Sequence, residues 1–187
     1  MYIYFFPVDF SERDSFIKSE CGYQKNKGKD YLVINRWDCQ TLSFCQSSDR
    51  LYIIAHGNTS VIGDGIRRTE KLTPEDLAKL LYGLGLPKYF EDVRLFSCYS
   101  GVSNKFASYA QRLKEALKER GYCNIMVTGY LGMVDCGRDF RLLKDGSAFY
   151  TKRSKGIFPE NSLIQSAMCL SMDDVLKYRA SDFKIIF

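Results

Sequence analysis

Cys98 and His56 are the two residues of this chain whose types and placement could support covalent catalysis. A thiolate is a strong nucleophile, and an imidazole can take and return a proton at neutral pH. Each stands at the end of a strand-like run. Asp49-Arg50-Leu51-Tyr52-Ile53-Ile54-Ala55 leads into His56-Gly57, and Asp92-Val93-Arg94-Leu95-Phe96-Ser97 leads into Cys98. In an open α/β sheet, functional groups collect where parallel strands end at their carboxyl edge. The two side chains are therefore expected at one rim, as neighbours or near neighbours, which is the minimum for acyl transfer through a covalent intermediate. Cys98 would attack a carbonyl; His56 would protonate the departing amine and then assist water against the thioester. The backbone N–H groups of Gly57 and Cys98 would receive the oxyanion, and glycine keeps a Cβ out of the way. Taken singly, His56 reads as a structural histidine and Cys98 as a small buried hydrophobe. Their pairing at successive strand ends favours the catalytic reading.

The elements that must position them are legible as alternating strands and helices. Strand-like runs rich in β-branched and aromatic residues are Tyr2–Phe6, Tyr31–Asn35, Leu51–Ala55, Val93–Phe96 and Ile125–Thr128. Thr73-Pro74-Glu75-Asp76 supplies an N-cap, a proline at the first helical position and two acids in the first turn. Leu77, Leu80, Leu81 and Leu84 follow at helical spacing. A second helix is expected from about Asn104 to Arg120, burying Phe106, Tyr109, Ala110, Leu113 and Leu117 and ended by Gly121. Ser11 to Cys21 is a shorter candidate. This order implies an α/β domain with a mainly parallel sheet, right-handed crossovers and three α/β/α layers. Across Arg138–Lys155, alternating runs flank Lys144-Asp145-Gly146, a hairpin signal that predicts a flap. A helix near Met172–Tyr178 and a short strand Phe183–Ile186 close the chain.

With 187 residues and 45% hydrophobic content, one domain over 1–187 is expected. No apolar run reaches membrane-span length, and MYIYFFPVDF lacks the basic leader and cleavage site of a secretory signal. The net charge of +5 comes without a nucleic-acid-binding motif, so no nucleic-acid partner is expected. Seven cysteines, an odd number with no Cys-x-x-Cys and one histidine, give neither a zinc pattern nor a disulfide framework. Reduced thiols and a cytoplasmic place of action follow, with no metal.

Other cysteine chemistries fail on order and spacing. A tyrosine-phosphatase loop needs arginine six residues after the cysteine, where this chain has Asn104. α/β-Hydrolases and papain-like enzymes place the histidine after the nucleophile, whereas His56 precedes Cys98. Histidine first is the caspase-like order.

Leu51–Gly57 (LYIIAHG), Leu72–Leu81 (LTPEDLAKLL) and Val93–Cys98 (VRLFSC) resemble the autoprocessing cysteine protease domains of bacterial multifunctional repeat-in-toxin proteins and clostridial glucosylating toxins. The resemblance covers roughly 30–158 and includes the Gly137–Gly146 hairpin, leaving 159–187 as a C-terminal extension. It implies a caspase-like fold, with His56 and Cys98 as a catalytic dyad. It also implies activation by inositol hexakisphosphate in a basic pocket beneath the flap, with cleavage after leucine. Candidate phosphate contacts are Arg138, Arg141, Lys144, Lys152, Arg153 and Lys155 on the hairpin, with Lys25, Lys27, Lys29 and Arg36 before the matched strands. Lysine and arginine suit a polyphosphate because charge-assisted bonds to phosphate are strong. The plainer reading is a solvated basic hairpin. A third acid orients the histidine in some of those relatives; Asp38 and Asp49 are the candidates here. Those relatives sit inside giant chains, whereas this sequence begins at a methionine, so a stand-alone effector cutting a protein in trans in a host cytosol is expected. Two other readings use the same residues: a caspase-like binding module without proteolysis, and an acyltransferase in which an amine resolves the thioester.

Overall fold

The computed structural model describes residues 1–11, 13–38, 41–65, 69–135, 140–142, 148–150, 153–156 and 183–187. The chain opens with β1 (Tyr2–Phe6), whose alternation sends Ile3 and Phe5 to one side and Tyr4 and Phe6 to the other. Helix α1 (Arg13–Phe16), a π-helical turn (Ile17–Cys21) and α2 (Gly22–Asn26) run on to β2 (Tyr31–Asn35). Next comes β3 (Arg50–Ile54), followed by three two-residue strands, β4 (His56–Gly57), β5 (Ile62–Gly63) and β6 (Lys71–Leu72). These three pair antiparallel as a small separate sheet.

Helix α3 (Pro74–Gly83) starts on the capping box expected at Thr73 and Asp76. After β7 (Asp92–Phe96) comes α4 (Tyr109–Glu119), then β8 (Met126–Tyr130). β9 (Gly132–Asp135), β10 (Phe140–Leu142), β11 (Ala148–Tyr150) and β12 (Arg153–Gly156) make a two-tier hairpin, β9 with β12 and β10 with β11. The flap is thus deeper than the 138–155 reading, because its base begins at Gly132. Its turn, Lys144-Asp145-Gly146, and the helix expected near 172–178 lie outside the described residues. β13 (Lys184–Ile186) ends the fold.

The central sheet has the order β13-β8-β7-β3-β1-β2. Its first five strands in the chain are parallel, and β13 joins β8 antiparallel. The protein is mixed α/β around a mostly parallel sheet. On one face Ile3, Phe5, Leu51, Ile53, Val93 and Leu95 pack against Leu77, Ala78 and Leu81 of α3 and Leu113 and Leu117 of α4. On the other, Tyr4, Phe6, Tyr52, Ile54 and Phe96 pack against Phe10, Phe16 and Cys21. Helical segments therefore cover both faces, as the near-continuous hydrophobic strands require.

One helix boundary differs from the sequence reading. α4 begins at Tyr109, capped by Ser108, whose hydroxyl accepts the Gln111 N–H at 3.2 Å. Asn104 instead shapes a turn, accepting the Phe106 N–H at 3.1 Å and donating to Thr59 at 3.0 Å. Phe106, expected in the core, is 76% exposed. Among the described residues no helix is long and apolar enough to cross a membrane.

Candidate active site

β3 and β7 are adjacent and parallel, in a register that ends with Ile54 opposite Phe96. The Ala55 N–H reaches Phe96 O at 3.5 Å, continuing the ladder one step. His56 and Cys98 each follow two residues after that last pair. They leave the same edge of the sheet on neighbouring strands, where strands lie about 4.8 Å apart.

The imidazole of His56 is half-buried and is held by packing. The Phe10 ring lies 4.8 Å from it, centroid to centroid, at 43°. Gly65, with φ +81°, brings a bare Cα so close that a Cβ there would fall on the ring's Cδ2. Nε2 is buried and has no hydrogen-bond partner among the described residues. Gly57 meets the chain after β7 in the same manner, since a Cβ on it would fall on Ser97 Oγ. The Asn58 N–H donates to Val61 O at 3.0 Å, and Gly57 is opposite Ile62. Antiparallel pairs alternate between hydrogen-bonded and open, so the Gly57 N–H points away from β5.

Around Cys98 the chain makes a sharp turn. Tyr99 has φ 58°, a left-handed conformation that a tyrosine adopts only when its surroundings impose it. Those surroundings are the flap base and β8: Tyr99 N–H donates to Gly132 O at 2.8 Å, and Gly101 N–H to Tyr130 O at 2.9 Å. Ser100, fully buried, donates to Ser97 O at 2.9 Å and accepts the Tyr130 N–H at 3.1 Å. The Cys98 thiol lies 3.7 Å from Val134 O, also on β9. Burial, and then charge on Cys98, push the Tyr99 hydroxyl up. Cys21 and Cys45 are buried in the core. Burial, with Glu20 and Asp49 adding to it, pushes them up to about 11 and about 12, which leaves them as inert thiols.

A cavity of about 380 Å³ opens beside His56, with Gly57, Asp64, Glu70 and Lys71 in its wall. Cys98 is outside it. Asp64 is buried and accepts the Thr69 N–H at 3.0 Å and the Thr69 hydroxyl at 2.7 Å. The acids nominated from sequence are elsewhere. Asp49 pairs with the Met1 ammonium at 2.8 Å, at the amino end of β3 and away from His56. Asp38 accepts the Asn35 N–H at 3.0 Å and the Asn35 amide at 2.7 Å. Among the described residues no carboxylate hydrogen-bonds the imidazole.

Among the described basic residues, Lys25, Lys27 and Lys29 lie apart from Arg36. Lys25, Lys27 and Lys29 are exposed before β2, at the sheet's amino edge. Arg36 follows β2, pairs with Glu70 at 3.6 Å and lies 4.6 Å over the Trp37 ring. A strand of that length separates the two sets by roughly 17 Å. Arg141 is on β10, and Arg153 and Lys155 are on β12. Arg138, Lys144 and Lys152 lie outside the described residues. Among the described residues no group of three or more His, Cys, Asp or Glu could hold a metal ion.

The family described as a domain of unknown function, DUF8616, matches residues 40–134. The chain belongs to this family. The DUF8616 match runs through β9, so it contains His56, Cys98 and both loops that carry them, and it stops before the outer strands of the flap. No curated protein is significantly similar to the chain.

The sequence nominates His56 and Cys98, and does not point to the residues the structure packs around them. Gly63-Asp64-Gly65 carried a usable signal, two glycines in a short loop. Phe10 and Tyr99 carried none.

Proposed function

We propose that this DUF8616 chain is a caspase-like cysteine endopeptidase with Cys98 as nucleophile and His56 as acid/base. The carrying observation is that both residues leave adjacent parallel strands two residues after one register pair. The Cys98 thiol proton passes to His56, and the thiolate adds to the scissile carbonyl. The C–N bond then breaks as His56 returns the proton to the leaving amine. Water adds to the thioester and restores the thiol. The Gly57 N–H, turned away from β5, is a donor for the oxyanion, with the N–H of Cys98 as the second. An inositol polyphosphate bound by the flap's basic residues gates the thiol; the contacts of Tyr99 and Cys98 with β9 supply a route from flap to nucleophile.

The test pairs cleavage with labelling. Polypeptide substrates are incubated with wild type, Cys98→Ala and His56→Ala, with and without inositol hexakisphosphate, and labelling of Cys98 by iodoacetamide is located by mass spectrometry. Wild type is expected to cleave and both variants to be silent; equal cleavage by Cys98→Ala removes the assignment. Gating is read separately. Unchanged melting temperature and unchanged Cys98 alkylation on adding the polyphosphate remove it.

A further inference from the structure

We propose that Phe10 and Gly65 are positioning residues that hold the His56 imidazole for acid/base work by packing rather than through an orienting carboxylate. The inference rests on the reading of His56 and Cys98 as a dyad. A histidine that must exchange a proton with a neighbouring thiol needs its ring plane held, because its terminal torsion is broad and two-fold. In many dyads and triads a hydrogen-bonded acid does this. Here the imidazole has no such bond among the described residues, and two contacts take its place.

Phe10, 6% exposed, presents its ring 4.8 Å from the imidazole and is itself backed by Phe6 at 5.9 Å. Gly65 presses its Cα against the imidazole, where an added Cβ would overlap Cδ2 and sit 2.7 Å from Cγ and Nε2. Its backbone is fixed from the next residue. Asp64 Oδ2 takes the Thr69 N–H and hydroxyl, and the Asp64 N–H donates to Glu70 O at 3.3 Å, closing the base of the loop. Among the described residues, the titratable groups sharing the cavity wall with His56 are Asp64, Glu70 and Lys71, and Cys98 stands at the neighbouring strand end. Packing holds the plane, and Cys98 follows the end of the neighbouring strand.

The test is the rate of Cys98 alkylation by iodoacetamide across pH, in wild type, His56→Ala, Phe10→Ala, Phe10→Tyr and Gly65→Ala. Melting temperatures are measured alongside. Phe10→Ala and Gly65→Ala are expected to slow alkylation at neutral pH by about tenfold or more and to carry the pH profile toward that of His56→Ala. Phe10→Tyr is expected to keep the wild-type profile. If Phe10→Ala does not fold, Phe10→Leu, which retains the burial and loses the aromatic face, replaces it. A wild-type profile in folded Phe10→Ala or Phe10→Leu overturns the inference while leaving the dyad intact. If wild type already matches His56→Ala, the dyad itself fails and the inference with it.

Discussion

At Gly57 the backbone passes so close to the chain leaving β7 that Ser97 Oγ occupies the space a Cβ would need. The glycine is required there by its neighbour. Ser97 is 1% exposed and its Oγ has no hydrogen-bond partner among the described residues, so its place is set by packing. Gly57→Ala is therefore expected to destabilise the fold by about 1–3 kcal/mol, the usual cost of overpacking. Adding Ser97→Ala should recover part of that loss, because the oxygen is the nearest obstacle, with Ile62 Cγ2 and Ser97 Cβ next at 3.3 Å. Urea unfolding of the two single variants and the double variant gives the coupling directly. Strict additivity would mean that the two residues do not collide, and the close approach of the His56 and Cys98 loops would have to be redrawn.

Among the elements, those with a long run of one period were readable and those made by tertiary contact were not. β1, β2, β3, β7 and β8 lie where β-branched and aromatic residues cluster, and α3 starts at its capping box. β4, β5 and β6 are two residues each, too short for any periodicity, yet they fold the chain after His56 into the cavity wall. α4 starts later than the sequence suggests, at Tyr109, because Asn104, itself a capping type, does not cap it. Its side chain is used instead to bridge to Thr59, which ties the loop after Cys98 to the loop after His56. The boundary is testable. Ser108→Ala should cost about 1 kcal/mol as a lost cap, whereas Phe106→Ala should fall within about 0.5 kcal/mol of wild type, as surface changes do. A loss of roughly 3–5 kcal/mol for Phe106→Ala, typical of a buried phenylalanine, would restore the longer helix.

For the whole molecule, the two strands that lead into His56 and Cys98 at one end are clamped at the other. Asp92, on β7, receives Arg50 Nε of β3 at 2.8 Å and Arg94 Nε at 2.9 Å. Burial pushes the Asp92 carboxyl up, but hydrogen bonds and charge from Arg94 and Arg50 outweigh it and hold the group below its ordinary value. A carboxyl more acidic in the folded chain than in the unfolded one, where it titrates near 3.9, stabilises the fold in full above that pH. The contribution is lost as the pH falls through the lower, folded value. Asp92→Asn should therefore cost roughly 1–3 kcal/mol at pH 7, because two guanidinium groups lose a charged acceptor. The difference from wild type should shrink as the solution is acidified, once wild-type Asp92 is protonated too. Melting temperatures of both proteins from neutral pH to below pH 4 decide it, since a constant gap would mean that the carboxylate's charge is not what holds β3 to β7. The same clamp keeps the Ile54–Phe96 register, and with it the matched emergence of His56 and Cys98. Asp92→Asn should thus also lower Cys98 alkylation at neutral pH, linking the stability of one sheet edge to the chemistry proposed for the other.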